Sequence, residues 1–245
     1  MGQENATRKR LVIVGSGPIY SDQSQFIDDS DCVVRFNQCK NLGPYTGAKT
    51  DILFLNNVGD PEIQQTLAHL LKEREKTILD RDLPFLKNLK KAIFVRPLAA
   101  DFRKFLVEGP GPSHPLYEFE MGNTRHDRDI AEEISRSLQL HRDTVERLSP
   151  EFHMQVWQML CEYSGGGGIM PSTGALGVQH ILTAKEYAGY DKYVIGFSHR
   201  GWKGHSWNSE MRLMRTEIKN GRLKPLPGTT GLVSTLRRWA VGLRR

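Results

Sequence analysis

The chain has 245 residues, of which 38% are hydrophobic and 25% charged, as is typical of a soluble globular protein with one sizeable core or two small ones. Its apolar runs are shorter than the roughly 18 residues that a membrane-spanning helix needs. The first residues lack the apolar segment of a secretory signal. Three cysteines are too few for a disulfide framework or a zinc site, so a reducing cytoplasm is expected. The net charge of +6 accompanies no nucleic-acid recognition motif, which disfavours DNA and RNA as partners.

The first predicted strand, Arg10–Val14, runs directly into a glycine-rich turn, Gly15-Ser16-Gly17. Nucleotide-binding α/β domains begin in this way. However, Tyr20 stands where the dinucleotide fingerprint has its third glycine, and no acidic residue ends the second strand. NAD and FAD are therefore disfavoured, which leaves another nucleotide or a plain tight turn as the interpretations.

Polar residues end the next two predicted strands, Asp31–Phe36 and Asp51–Leu55. Asn37 follows the first of them and Asn56 follows the second. Because the carboxyl ends of parallel strands share one edge of a sheet, these amides and Ser16 are predicted to hold a ribose and a base there. The alternative role for each is that of a turn residue.

The other predicted elements alternate between helices and strands. They are the helices Pro61–Lys76, Leu98–Val107, Ile130–Leu140 and Pro150–Tyr163, a helix that continues to Lys219, and the strands Lys91–Val95 and Lys192–Phe197. The polar segment His114–Leu148 is interpreted either as acceptor-side or lid material or as a solvated helical face. Two Asp-Arg-Asp triplets, Asp80–Asp82 and Asp127–Asp129, follow no apolar strand and are interpreted as surface charge.

The arginine-rich, apolar segment Leu232–Arg245 predicts a terminal helix. Such a helix either contacts an anionic membrane surface or packs on the protein with solvated arginines.

The stretch Gly168–Glu210 combines the features expected of an active site. Pro171-Ser172-Thr173-Gly174 supplies two hydroxyls and a glycine where a helix is predicted to start, and helix starts hold anions well. Beyond the strand that follows come His199, Trp202, His205 and Glu210. Ligands of open α/β sheets bind beyond the carboxyl ends of strands.

General-base chemistry is the reaction that this constellation favours. A nucleophilic serine would need a tight elbow such as G-x-S-x-G, and a metal site would need spaced His and carboxylate ligands; the sequence has neither motif. A base needs only one His with a pKa near neutrality. His205, predicted at the start of a helix, is the candidate. Glu210 is expected either to orient its ring or to bond backbone N–H groups of the loop that carries it.

These segments together resemble the sialylmotifs of the CMP-sialic-acid-dependent sialyltransferases. The segment Leu11–Asp51 is similar to the large sialylmotif, which binds the cytidine nucleotide. Pro171–Phe197 is similar to the small motif, which meets donor and acceptor, and His205–Glu210 fits the H-x4-E of the very small motif, whose His is the catalytic base. Bacterial sialyltransferases share the same order of turns and strand ends.

The resemblance implies an α/β, Rossmann-like fold of the sialyltransferase type, a variant of the GT-A fold, with a mostly parallel sheet flanked by helices. One catalytic domain would span residues 1–228, followed by a basic amphipathic helix at 229–245. It implies His205, Glu210 and His199 as catalytic residues. The implied donor-binding residues are Gly15, Ser16, Gly17, Asn37, Asn56, Ser172, Thr173, Gly174 and Trp202. Lys203 is a further group implied to stabilise the leaving phosphate.

The activity that the resemblance implies is inverting, metal-independent transfer of a sialic acid, or of a related ulosonic acid such as Kdo. The CMP-activated sugar is a substrate, so no cofactor is implied. The acceptor is a glycan or glycolipid such as bacterial lipopolysaccharide, which suggests a cytoplasmic enzyme, peripheral at the inner membrane. Ser16 stands where the family has Asn, and the segment between the last two motifs is short. The alternative is therefore a catalytically inactive, nucleotide-binding accessory protein of the same family.

Overall fold

One open sheet organises the residues that the computed structural model describes, which are 8–58, 89–164, 170–201 and 204–227 without the side chain of residue 125. The described strands are β1 (Lys9–Val14), β2 (Cys32–Phe36), β3 (Ile52–Leu55), β4 (Lys91–Phe94), β5 (Val145–Arg147), β6 (Tyr190–Ile195) and β7 (Lys224–Pro225). They lie in the order β5-β4-β3-β2-β1-β6-β7, and every pair of neighbours is parallel.

Helices cover both faces of this sheet. They are α1 (Ser24–Asp28), α2 (Ala99–Glu108), α3 (Pro115–Gly122), α4 (Ala131–Ser137), α5 (Pro150–Ser164), α6 (Thr173–Thr183) and α7 (Trp207–Lys219). Core residues of α5, α6 and α7 share one hydrophobic cluster with the sheet, whereas α1 and α4 belong to clusters that contain the alternate strand residues. The fold is therefore α/β and Rossmann-like, as the sequence predicts.

The direction in which strands are added reverses beside β1. From β1 the chain builds β2, β3, β4 and β5 outward on one side, and then returns to place β6 and β7 on the other side. A reversal of this kind opens a crevice at the carboxyl ends of the two central strands. Val14 and Ile195, which end β1 and β6, are directly paired. The segments that follow these two residues therefore border the crevice.

Helix α6 packs unusually close to the sheet because it carries a glycine at the contact. A Cβ atom added to Gly177 would lie 2.5 Å from Cε1 of Phe36 and 3.1 Å from the ring of Phe54. The rings of Phe36 and Phe54 stack on each other beneath the helix, with centroids 5.7 Å apart. This contact fixes the height of α6, and hence of its N-terminus, above β2 and β3.

A buried arginine shapes the loop that follows β2. Nε of Arg35 donates to the carbonyl of Lys49 at 3.0 Å, and its Nη atoms donate to Thr46 and to the carbonyl of Gly47. Burial lowers the pKa of Arg35 to about 10, so the side chain is still charged at neutral pH. The loop is thus held by one side chain of the central sheet.

Most elements lie where the sequence predicts them, and the differences have local causes. The predicted strand Lys192–Phe197 is instead Tyr190–Ile195, because the chain turns at Gly196, which has a φ of 76°. Strand β5 and helix α3 fall within His114–Leu148, so this segment is more than a solvated helical face. The predicted helix Pro61–Lys76 and the terminal helix of residues 229–245 lie outside the described residues and stay predictions. None of the described helices combines the length and apolar character needed to cross a bilayer.

Candidate active site

Helix α6 begins at the serine that the sequence marks for anion binding. The side chain of Ser172 caps the helix by accepting a hydrogen bond from the N–H of Ala175 at 3.1 Å. Thr173 and Gly174 follow as the first helical residues, and both are half-buried. The N–H groups in the first turn of a helix have no partner within the helix. The structure therefore places the Ser-Thr-Gly segment at a helix N-terminus, a favourable environment for negative charge.

Glu210 joins the first turn of α7 to the cap of α6. Its Oε1 accepts from the backbone N–H of Ser172 at 2.9 Å, and its Oε2 accepts from the Ser172 hydroxyl at 2.7 Å. Glu210 is expected to orient His205 or to bond the loop that carries it, whereas the two hydrogen bonds that the structure describes for its carboxylate both go to Ser172. Burial raises the pKa of Glu210 to about 7, against the lowering effect of the two Ser172 hydrogen bonds.

His205 lies two residues before α7 and is oriented by a backbone carbonyl. Its Nδ1 is 2.8 Å from the carbonyl oxygen of Met170. Because a carbonyl oxygen only accepts, Nδ1 carries the hydrogen and Nε2 carries the lone pair of the neutral ring. Burial lowers the pKa of His205 and the charge of Arg96 lowers it further, although the Met170 hydrogen bond acts in the opposite direction. The neutral ring that a general base requires is thus favoured at pH 7.

The glycine-rich turn after β1 packs against the segment that follows β6. The N–H of Gly15 donates to Ile195 at 2.8 Å, and the N–H of Gly17 donates to Gly196 at 2.6 Å. The side-chain amide of Asn41 donates to the carbonyls of both Gly15 and Gly17, at 2.6 and 2.7 Å. These backbone groups are therefore engaged within the protein, whereas the Ser16 side chain between them is exposed.

Asn37 and Asn56 come together at the carboxyl edge, but both side chains bond the backbone of the segment that follows β3. Oδ1 of Asn37 accepts from the N–H of Asn56 at 2.9 Å, and the Asn56 amide donates to the carbonyl of Val58 at 2.9 Å. Asn37 has a φ of 46°, a left-handed conformation that Asn tolerates better than most residues. The structure thus gives both side chains a turn-forming role at the place where ribose and base binding is predicted.

His199 borders a small cavity between α6, α7 and the segment after β6. The cavity has a volume of about 20 Å³, and its lining includes Gln179, Phe197, His199 and Glu210. Burial, reinforced by the charge of Arg215, lowers the pKa of His199 to about 4, so its ring is neutral at pH 7. At neutral pH, His199 can therefore form hydrogen bonds but carries no positive charge. Trp202 and Lys203 lie outside the described residues.

A buried ionisable network next to Met170 was not predicted from the sequence. Arg96, which follows β4, donates from Nη2 to Glu120 at 2.6 Å. Its guanidinium also lies 2.9 Å from Nδ1 of His126 and 3.0 Å from Nε2 of His153. Nη1 reaches the sulfur of Met170 at 3.9 Å, so the network and His205 contact the same residue. The position of Arg96 directly after an apolar strand is the signal that could have identified it.

No group of three or more His, Cys, Asp or Glu side chains that could hold a metal occurs among the described residues. Of the two Asp-Arg-Asp triplets, Asp80–Asp82 lies outside them. In the other, Asp127 is exposed and pairs with Arg103. Asp129 is half-buried and accepts from Asn57 at 3.0 Å. The interpretation as surface charge therefore suits Asp127. Asp129 instead stabilises the segment after β3 through its hydrogen bond with Asn57.

Comparison with known proteins supports the fold more strongly than the activity. No protein-family model matches the chain. A curated protein of Rhizobium meliloti (strain 1021), described as "Urease operon 23 kDa accessory protein", is 26% identical over 217 residues, which are 88% of this chain and 92% of that protein. A solved structure described as "Crystal Structure of a Mammalian Sialyltransferase" aligns with a TM-score of 0.50 and 17% identity over 91% of this chain and 70% of that chain. The chain therefore has a sialyltransferase-like fold.

Proposed function

We propose that this protein is an inverting, metal-independent glycosyltransferase. It moves a sialic acid or a related ulosonic acid such as Kdo from a CMP-activated donor to a hydroxyl of a glycan or glycolipid. The observation that carries the proposal is that Nδ1 of His205 binds Met170, two residues before Ser172, the cap of α6. A histidine base and a helix N-terminus suited to an anion thus adjoin one short segment of a sialyltransferase-like fold.

In the proposed reaction, the acceptor oxygen forms a bond to the anomeric carbon while the bond from that carbon to the CMP phosphate oxygen breaks. Nε2 of His205 takes the hydroxyl proton, and the phosphate leaves with the bonding electrons on the opposite face, so the configuration inverts. The Met170 carbonyl stabilises the imidazolium that forms, because it accepts the hydrogen bond from Nδ1–H.

The departing phosphate needs hydrogen-bond donors where its charge develops. We assign this role to the backbone N–H groups at the start of α6, around Thr173 and Gly174, and to the ring of His199. The exposed side chain of Ser16, in the turn that follows β1, is assigned to the nucleoside. A monophosphate carries less charge than a diphosphate, so these donors replace the metal ion that many sugar-nucleotide transferases use.

The experiment that tests this proposal is release of CMP from CMP-sialic acid and from CMP-Kdo, with a glycan acceptor mixture present. His205→Gln is expected to lower turnover by about 10²- to 10⁴-fold, because the variant lacks the base while CMP still binds. The control is His180→Gln, in the last turn of the same α6, where the histidine packs among aromatic rings and should leave turnover unchanged. Equal turnover in wild type and His205→Gln would contradict the role of His205.

A second candidate is an accessory protein that binds a CMP-nucleotide without turnover. The observation that favours it is the description of the 26% identical relative as an accessory protein of a urease operon. Ser16 also stands where sialyltransferases have Asn. Hydrolysis of a CMP-sugar that depends on His205 would exclude this candidate, whereas CMP binding without any turnover would favour it.

A further inference from the structure

Glu210 differs from the other buried carboxylates of the described residues in lacking a cationic partner. Glu120 is paired with Arg96 at 2.6 Å, Glu217 with Arg222 at 2.5 Å, and Asp51 with Lys90 at 2.7 Å. Glu210 is only 5% exposed, and within the described part of the chain no basic side chain forms an ion pair with it. Burying an ionised carboxylate without a cationic partner costs free energy, so burial favours the protonated form of Glu210.

The side chains that line the cavity beside Glu210 include no Lys or Arg. Its cavity is lined by Gln179 and His199 and otherwise by apolar side chains. Oε1 of Gln179, which is 2% exposed, and Nε2 of His199 have no hydrogen-bond partner among the described residues. The titratable and charged groups that face this region are the His199 ring, the Arg215 guanidinium of α7, whose charge acts on His199, and, through Met170, the His205 ring. Burial lowers the pKa of both histidines.

The hydrogen bond between the Ser172 hydroxyl and Glu210 can run in either direction, depending on whether Glu210 is ionised or protonated. When Glu210 is ionised, the Ser172 hydroxyl donates its hydrogen to Oε2 across 2.7 Å, while its oxygen accepts from the N–H of Ala175. When Glu210 is protonated, the same 2.7 Å contact fits a bond donated by the carboxyl to the Ser172 oxygen. The serine hydrogen is then released and can be donated to an anion at the start of α6.

We infer that Glu210 is a positioning residue that takes up one proton from solvent when an anionic group binds at the start of α6, and so turns the Ser172 hydroxyl into a donor toward that group. The inference rests on the proposed function, because it takes the CMP phosphate as the anion. Only the carboxyl O–H bond is formed, and the hydrogen bond between Glu210 and Ser172 reverses direction.

The energetic cost of this uptake is small near neutrality. Burial raises the pKa of Glu210 to about 7, so the free protein is mostly protonated below that pH and mostly ionised above it. A raised carboxyl pKa means that the protonated form is favoured as pH falls, and anion binding is therefore expected to tighten in the same direction. A carboxyl with an ordinary pKa would be ionised throughout the range from pH 6 to 8 and would give no such dependence.

The test is calorimetric titration of the full chain with CMP at pH 6 and pH 8. Glu210→Gln is the informative variant, because its amide accepts from the Ser172 N–H and donates to the Ser172 oxygen, as the protonated acid does. From pH 6 to pH 8, the affinity of the wild type is expected to fall about tenfold relative to Glu210→Gln, given a pKa of about 7. The ionisation of the CMP phosphate affects the measured affinity of both proteins equally, so it cancels in the ratio of the two affinities.

A matched control is Glu217→Gln, another buried acid of α7, which is paired with Arg222 and is expected to behave as wild type. Repeating the titration at pH 8 in two buffers of different ionisation enthalpy should show up to one more proton taken up by the wild type than by Glu210→Gln. CMP binding with the same pH dependence in both proteins would overturn this inference and leave the proposed function intact. Absence of CMP binding in both would overturn the proposed function, and this inference with it.

Should Glu210→Gln fail to fold, the carboxyl ¹³C resonance of Glu210 in the wild type gives a second measurement. Its titration midpoint is expected near pH 7 in the free protein and higher when the protein is saturated with CMP. An unchanged or lower midpoint in the CMP complex would contradict proton uptake, because a merely structural carboxyl has no reason to gain protons on binding.

Discussion

At the carboxyl edge of the sheet, three asparagine side chains form hydrogen bonds with the protein backbone. Asn37, Asn41 and Asn56 each bond nearby or facing backbone. The sequence indicates polar strand ends, because an amide after an apolar run is visible. It could not identify Asn41, since its partners Gly15 and Gly17 lie more than 20 positions away. Hydrogen bonds between residues so far apart in sequence depend on which strands become neighbours in the sheet.

The tight packing of the first turn gives a prediction about Gly15. A Cβ added there would lie 2.4 Å from the carbonyl oxygen of Gly196, a contact with backbone that cannot move aside. Gly15→Ala is therefore expected to lower the free energy of unfolding by about 1–3 kcal/mol. Urea unfolding followed by circular dichroism measures this difference.

The control for this prediction is Gly122→Ala at the end of α3, where an added Cβ meets no atom within 4 Å. That variant is expected to change stability by less than about 1 kcal/mol. Equal stabilities of Gly15→Ala and wild type would show that the turn after β1 is not packed against Gly196 in solution.

Whole elements were predicted where the apolar pattern is long, and missed where it is short. Helix α5 and strands β1 to β4 have clear periodicity or continuous apolar runs, and they appear within a few residues of the predicted positions. Strand β5 has three residues, Val145–Arg147, none of them buried, so no apolar run marks it. Helix α3 is short, starts at a proline within a proline-rich segment, and buries only two residues, Leu116 and Glu120.

The network around Arg96 joins β4, α3 and α5, and it gives a prediction about the stability of the fold. Burial raises the pKa of Glu120, but the His126 hydrogen bond and the Arg96 charge outweigh burial and lower it overall. Arg96→Met would leave Glu120 buried without its cation and is expected to reduce the free energy of unfolding by about 3–5 kcal/mol. Denaturant unfolding at pH 7 provides the measurement.

Two further variants make the test of the network specific. Arg96→Met combined with Glu120→Met removes both charges and is expected to recover a large part of the loss, because no unpaired charge is left in the core. Lys104→Met, which breaks the exposed pair with Glu108 on α2, is expected to cost less than about 1 kcal/mol. A double variant no more stable than Arg96→Met would contradict the account of Glu120.

The molecule as a whole is a doubly covered parallel sheet whose reversal of strand order beside β1 creates the crevice. The alternation of apolar strands and helices after the glycine-rich turn, together with the resemblance to the sialylmotifs, predicts this class of fold. The strand order follows from packing between distant segments and was not predictable from local sequence. The apposition of Ser172 and Glu210, separated by 38 positions, arises in the same way.

The most direct test of the account is calorimetric titration of the full chain with CMP, with UMP and ADP as controls. The account predicts that CMP binds selectively, because the crevice would hold a cytidine nucleotide with its phosphate at the N-terminus of α6. Binding of CMP with no measurable binding of UMP or ADP would justify the turnover assays with CMP-sialic acid and CMP-Kdo. Absence of CMP binding, or equal binding of all three nucleotides, would contradict the proposed donor site and leave the sialyltransferase-like fold without that activity.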